Sequence, residues 1–388
     1  MEHISAARKA AFETLLAVSR GAYASEVLRG CTASLDARDA GLASQIVFGC
    51  LRYQGQLDYF VLFYSGRRAQ TLHEHVRIAL RMGIFQLRYL DRVPAHAAVH
   101  ETVELVKRHR PSATGFANAV LRKVNRNPVE WPDEATALSV PAWLLERWKA
   151  HFDAETARKI ARAALEEPKR YIRLATTGAS PPLPHLELEP TSVNGAFRLL
   201  SPLPPGWRLH DISSQAIVPL LDLQAGQRYL DLCAAPGNKT LQALEKPLAL
   251  AIACDVSEKR IREIPSICPR IVLDATQPLP FSGKFDRILI DAPCSGTGTL
   301  GRNPEIKWRV QPGDFPRFRE KQRQILQQGL RHLAPQGKLV YATCSLEQEE
   351  NEEVIDSIGS EFRIERTLWR LPGREEGDGF FAAVITAA

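Results

Sequence analysis

At 388 residues, 45% apolar and 24% charged, the chain has the composition expected of a soluble globular protein of two or three domains. It holds no run of eighteen apolar residues, and its start (Glu2, His3, Arg8, Lys9) lacks a signal-peptide core, so a cytoplasmic location without a membrane partner is expected. The seven cysteines form no C-x-x-C pair, which argues against a zinc knuckle or a disulfide framework; no metal is expected. The formal charge of +6 sits at the front, where residues 1–130 carry 18 Lys and Arg against 11 Asp and Glu, a balance that suits an acidic partner.

Residues 1–126 read as an all-α bundle. Ala6 to Ser19 sets Ala7, Ala10, Ala11, Thr14, Leu15 and Val18 at helical spacing. Ala40 to Tyr64, His75 to Leu90, Ala95 to His109 and Ser112 to Asn125 repeat the pattern, with Pro94 and Pro111 where helices start. No catalytic signature appears here. The order of Arg8-Lys-Ala-Ala-Phe12, Asp39 to Leu57 with its Val47-Phe-Gly-Cys-Leu-Arg52, Arg81-Met-Gly-Ile-Phe-Gln-Leu87 and Asn118-Ala-Val-Leu-Arg122 resembles the NusB-type RNA-binding domain. That resemblance implies RNA on a basic face and makes Arg8, Lys9, Arg122 and Lys123 candidates for phosphate contact.

Residues 127–210 are expected to hold linker helices and a small appended subdomain. Asn127 to Val140 is a Pro-marked linker, followed by a helix pair at Pro141 to Phe152 and Ala154 to Leu165. Tyr171 to Leu174, Leu186 to Leu188 and Phe197 to Leu199 are candidate short strands around a Pro181-Pro-Leu-Pro184 loop.

From 211 to 388 strands and helices alternate. Strands are expected at 228–233, 249–255, 270–274, 285–291, 338–344, 362–369 and 380–386, with helices at Arg317 to Leu333 and Glu347 to Ile358. This alternation predicts an α/β, Rossmann-like, mostly parallel seven-stranded sheet with an antiparallel final pair. After the first strand, Asp231-Leu-Cys-Ala-Ala-Pro-Gly-Asn-Lys-Thr240 breaks at a Gly-containing turn and restarts as a helix, which leaves backbone N–H groups facing a cleft. The next three strands stop at Asp255, Asp274 and Asp291, a row of carboxylates on the rim where open α/β sheets bind ligands. With neither G-x-G-x-x-G nor a Walker loop, a nucleoside without phosphates is favoured, and S-adenosylmethionine fits.

Two cysteines reach the same rim. Asp291-Ala-Pro-Cys-Ser-Gly-Thr-Gly298 follows the fourth strand and Tyr341-Ala-Thr-Cys-Ser345 closes the fifth. A lone thiol there reads as core packing, whereas two at adjacent strand ends beside Asp291 point to chemistry. Carbon 5 of cytosine becomes nucleophilic only after a thiolate adds to carbon 6, and a base must then remove the carbon-5 proton.

The motifs around Asp231, Asp255, Asp274, Asp291 to Gly298 and Thr343-Cys-Ser345, taken in order, resemble the Sun-type RNA cytosine-5 methyltransferases. With the NusB-like region in front, the match is to the RsmB type, which modifies small-subunit ribosomal RNA. Arg302-Asn-Pro-Glu-Ile-Lys-Trp308, Gln348-Glu-Glu-Asn351 and Asp378-Gly-Phe-Phe381 add to it. The resemblance implies that Cys344 is the nucleophile and that Cys294 helps release the product. It assigns Cys233, Ala234, Ala235, Pro236, Gly237, Asn238 and Lys239 to the methionine part of the cofactor. Asp255 falls to the ribose, Asp274 to the adenine, and Asp291 to the sulfonium end and target base. The spacing alone leaves open which cysteine attacks.

Asn238 replaces the second Gly of the family's turn, and asparagine tolerates the left-handed backbone region such a position would need. Arg302, Lys307 and Trp308, an aromatic among cations, are candidates to line the RNA path. A monomer acting on small-subunit ribosomal RNA is expected. The alternatives are a non-catalytic RNA-binding or ribosome assembly factor, and a methyltransferase acting on a base nitrogen or ribose oxygen.

Overall fold

A computed structural model describes residues 4–174 and 186–388, so the Pro181–Pro184 loop lies outside the described residues. The chain divides into two compact units, residues 1–166 with 300–309, and residues 167–299 with 310–388. The helix pair after the linker therefore packs with the bundle, and a ten-residue segment from the second half of the sequence returns to it.

In the first unit, helices Ala6–Ser19 and Ala95–His109 match the sequence pattern to the residue. The expected Ala40–Tyr64 helix is two helices, Ala37–Arg52 and Gln54–Ser65. Tyr53 leaves helical geometry (φ −99°, ψ 16°), and Gly55 N–H donates to Ser139 Oγ at 2.9 Å. Helix Ala24–Thr32 was not expected: Ala24, Val27, Leu28 and Cys31 fall at helical spacing, but it is only nine residues long and buries just Ala24 and Leu28. The helices pack around Phe12, Ile46, Leu57, Phe60, Leu80 and Val106.

Arg8, expected on the RNA face, lies inside this core. Its Nη1 is 2.7 Å from Glu101 Oε1 and its Nε donates to Gln86 Oε1 at 2.6 Å. A guanidinium so enclosed has no face left for a phosphate. Lys9, Arg122 and Lys123 remain exposed.

The second unit opens with a small antiparallel sheet of β1 (Tyr171–Arg173), β2 (Leu188–Pro190) and β3 (Ala196–Leu199) in the order β1-β3-β2. The main sheet comprises β4 (Arg228–Asp231), β5 (Leu250–Asp255), β6 (Arg270–Val272), β7 (Phe285–Asp291), β8 (Leu333–Thr343), β9 (Phe362–Arg370) and β10 (Phe380–Ala387). Its order is β6-β5-β4-β7-β8-β10-β9, parallel except for β10, which runs antiparallel to both neighbours. The inner strands β4, β5, β7 and β10 are largely buried because both faces of the sheet are covered there, whereas the edge strands β6 and β9 are exposed. Helix Phe315–Arg331 lays Ile325, Leu326 and Leu330 on the face of Ile288, Ile290 and Tyr341, while Val218–Leu221 covers Leu289, Val340 and Val384. The helix expected over Glu347–Ile358 is two short turns, Gln348–Glu350 and Glu352–Ile355, parted at Asn351 (φ −118°, ψ −91°). Among the described residues no helix is long and apolar enough to cross a membrane.

β4 is tied to the helix after it by a buried carboxyl. Asp231 Oδ2 accepts from Thr240 Oγ1 at 2.7 Å and from Tyr229 Oη at 3.2 Å. Burial, reinforced by Asp291, lifts the Asp231 pKa to about 7.

Two outcomes follow from these buried charges. Arg8→Ala strands Glu101 and Gln86 in the bundle and should cost about 3 kcal/mol in urea unfolding, whereas Lys9→Ala should cost almost nothing. Asp231 holds its proton in the folded state at pH values where the unfolded chain has released it. Its contribution to stability is therefore present below about pH 4 and lost as pH rises to about 7. Asp231→Asn should remove that part of the decline in urea-unfolding stability between pH 4.5 and 7.5.

Candidate active site

The site lies within the second unit, at the carboxyl ends of β4, β5, β7 and β8. Parallel pairing sets Asp231 beside Leu289 and Asp291 beside Ala342, so the loops after β4, β7 and β8 emerge on one edge. After β4 the chain turns through Cys233-Ala-Ala-Pro-Gly237, with a cis Ala235–Pro236 peptide, and restarts as helix Asn238–Ala243. Gly237 alone takes the left-handed conformation (φ 105°), and a Cβ there would lie 2.7 Å from Ile264. Asn238 is the first helical residue, with ordinary φ, and its Nδ2 donates to Leu209 O at 3.0 Å. The tolerance of asparagine for left-handed backbone is thus not used at this position; the side chain anchors the turn instead.

Lys239 is buried to 8% exposure and places Nζ 2.7 Å from Asp291 Oδ2 and 4.9 Å from the Phe380 ring centre. The pair joins the turn after β4 to the end of β7. Asp255 is buried; its Oδ2 accepts from Ala235 N–H at 3.1 Å and its Oδ1 from Ser257 N–H at 2.9 Å. Each oxygen keeps a lone pair for a further donor. Asp274 is exposed, and bonds from Thr276 N–H and Oγ hold its pKa below the usual carboxylate range. Cys233, Ala234 and Ala235 are enclosed in the turn, and burial pushes the Cys233 thiol well above its ordinary pKa. Carboxylates and backbone amides along one edge, with no phosphate-holding loop, suit a polar nucleoside carrying a positive charge.

The two thiols meet. Cys294 Sγ and Cys344 Sγ are 3.3 Å apart. The hydrogen bond with Cys344 and burial hold Cys294 well above the ordinary thiol pKa, so it stays protonated. Gly298 N–H donates to Cys344 O at 2.9 Å, and Gly298 O accepts from Gly379 N–H at 2.7 Å. A Cβ on Gly298 would lie 2.8 Å from Cys344 O, so only glycine lets these loops close on each other. Thr297 Oγ1 accepts from Leu346 N–H at 2.9 Å, a second tie between the two cysteine loops.

The basic loop does not behave as expected. Lys307 is 1% exposed, donates to Arg52 O at 2.9 Å and has its pKa lowered to about 7 by burial. Trp308 Nε1 donates to Leu51 O at 2.7 Å. Both side chains hold residues 300–309 to helix Ala37–Arg52 inside the first unit; Lys307 is enclosed, whereas Trp308 is half-buried and lines a cavity of about 390 Å³ with Arg77, Arg81 and Arg309. Arg302 is half-buried in the same segment. The missed participants are Glu350 and Asn351, which reach the cysteine loops. The Gln348–Asn351 run was visible in the sequence, but a charged stretch looks the same whether it is solvated or buried.

Residues 218–363 match the model of 16S rRNA methyltransferase RsmB/F, and residues 5–126 match that of the NusB family. Ribosomal RNA small subunit methyltransferase B from Citrobacter koseri is 34% identical over 410 residues, covering 95% of each chain. The protein of that name from Escherichia coli O127:H6 is 34% identical over 415 residues, again covering 95% of each. The crystal structure of PH0851 is 22% identical, covers 98% of each chain and gives a TM-score of 0.81, which shows the fold. The chain therefore belongs to the RsmB/F family of 16S rRNA methyltransferases, enzymes that use S-adenosylmethionine, with a NusB-type helical region ahead of the methyltransferase domain.

Proposed function

We propose that this protein methylates carbon 5 of a cytosine in small-subunit ribosomal RNA through a covalent bond between Cys344 and carbon 6. The observation that carries this reading is the 3.3 Å contact between Cys294 and Cys344 beside the Lys239–Asp291 pair. Methylation of a base nitrogen or a ribose oxygen needs no thiol, and a binding protein has no use for two.

The turn from Cys233 to Lys239 would hold the methionine part of S-adenosylmethionine, with Asp255 at the ribose, Asp274 at the adenine and Asp291 toward the sulfonium. When bound, the cofactor supplies an electrophilic methyl group. Cys344 sulfur, as thiolate, forms a bond to carbon 6, and the electrons of the ring double bond move to carbon 5, which takes the methyl. A base then removes the carbon-5 proton, the electrons of that C–H bond restore the double bond, and the carbon 6–sulfur pair returns to Cys344. Cys294, protonated and in contact, donates a hydrogen bond to the departing sulfur. The base must leave its stack to reach this edge. Lys9, Arg122 and Lys123 are exposed cations of the first unit that would be offered to RNA phosphates.

Cys344→Ala should lower 5-methylcytosine formation in ribosomal RNA by more than about a thousandfold, read by bisulfite sequencing. Cys294→Ala should instead accumulate a denaturant-stable protein–RNA adduct on gels. Product from the Cys344 variant, or no adduct from the Cys294 variant, contradicts the respective role.

A further inference from the structure

Resting on that reading, we infer that Glu350, with Asn351 beside it, is the positioning residue that holds the Cys294 loop against the Cys344 loop and so governs release of the methylated base. Glu350 is fully buried, as are Asn351, Thr343, Ser345 and Gln322. Its Oε2 accepts from Ser295 N–H at 2.8 Å and from Gln322 Nε2 at 3.0 Å. Its Oε1 accepts from Ser345 Oγ at 2.6 Å and from Ser295 Oγ. Gln322 in turn donates to Pro293 O at 3.0 Å, so the residues on both sides of Cys294 are fixed. Tyr341 Oη donates to Glu350 O at 2.6 Å and anchors the acid to β8.

All four bonds to the side chain run into the carboxyl oxygens, and they work against the burial that pushes the Glu350 pKa up. Asn351 serves only the other loop. Its Oδ1 accepts from Thr343 Oγ1 at 2.6 Å and its Nδ2 donates to Ser345 O at 3.0 Å, one contact on each side of Cys344. The break in the helix expected over Glu347–Ile358 is what aims both side chains at the cysteines. Neither residue contacts a sulfur, so the pair acts through the loops.

The two loops are therefore held unequally. Without Glu350, Ser295 loses both of its bonds to the carboxylate. Ser345 loses one bond, but Asn351 still holds the residues on both sides of Cys344, and the Thr297–Leu346 and Gly298–Cys344 bonds still join the two loops beyond Ser295. Loss of the acid should disturb the step that needs Cys294 more than the step that needs Cys344.

The test is Glu350→Ala on the full chain with its RNA substrate, read by turnover, S-adenosylmethionine affinity and gel-stable adduct. Turnover should fall about 100-fold with cofactor affinity unchanged, and adduct should accumulate, because attack persists while release slows. Glu350→Gln should restore most of the turnover, since its amide oxygen can serve Ser295 N–H and Gln322 while the serine hydroxyls rotate to accept. Wild-type turnover in Glu350→Ala, or loss of turnover without adduct while cofactor still binds, overturns the inference. Should Glu350→Ala lose cofactor binding and cooperative unfolding, Ser295→Ala removes one arm of the clasp: adduct accumulation there supports the inference and its absence overturns it. Cys294→Ala separates the two levels. Adduct in that variant but not in the Glu350 and Ser295 variants sinks only the positioning role; no adduct in Cys294→Ala sinks the reading beneath it.

Discussion

The site depends on the parallel pairing of β7 with β8. Adjacent parallel strands lie about 4.8 Å apart and end on the same edge, so residues three and one positions beyond Asp291 and Thr343 emerge side by side. Cys294 and Cys344 are fifty residues apart in sequence and 3.3 Å apart in space. The sheet supplies the proximity, while Gly298, Thr297 and the Glu350–Asn351 pair supply the registration that brings sulfur to sulfur. Neighbouring β4 contributes the turn whose Lys239 reaches Asp291, which joins the proposed cofactor cleft to the thiols.

Charge divides the site into two environments. At the ends of β5 and β7, Asp255 and Asp291 keep acceptor capacity for further donors, and Asp291 is already matched by Lys239. Around the thiols, the hydrogen bond with Cys344 and burial, with Glu350 adding to them, disfavour a Cys294 thiolate. One sulfur is thereby kept in the donor form beside the other, the division of labour that a two-thiol mechanism needs.

Much of this was legible in the sequence, and the reasons differ by residue. Apolar runs ending in Asp255 and Asp291 mark buried parallel strands, and the observed strands β5 and β7 end at those residues. Helical periodicity located Ala6–Ser19 and Ala95–His109 to the residue. Periodicity says nothing of a residue whose partner is distant in sequence. Arg8 and Lys307 both read as surface cations, yet one meets Glu101 across 93 positions and the other meets Arg52 across 255. Asn351 sits in a run of helix-forming residues, and only its bonds to Thr343 and Ser345 explain why the helix breaks there. Asn238 was read through backbone conformation, but its role is a side-chain bond to Leu209. Which thiol attacks could not be read from spacing, because both cysteines occupy equivalent strand-end loops.

Trapping the covalent intermediate identifies the attacking thiol directly. Wild-type protein incubated with S-adenosylmethionine and substrate RNA containing 5-fluorocytosine, which has no carbon-5 proton to lose, should remain covalently bound, and mass spectrometry of its proteolytic peptides should locate the nucleotide. Attack by Cys344 places the nucleotide on Cys344 alone. A nucleotide on Cys294, or protein that carries none while the same preparation methylates unmodified RNA, would contradict it.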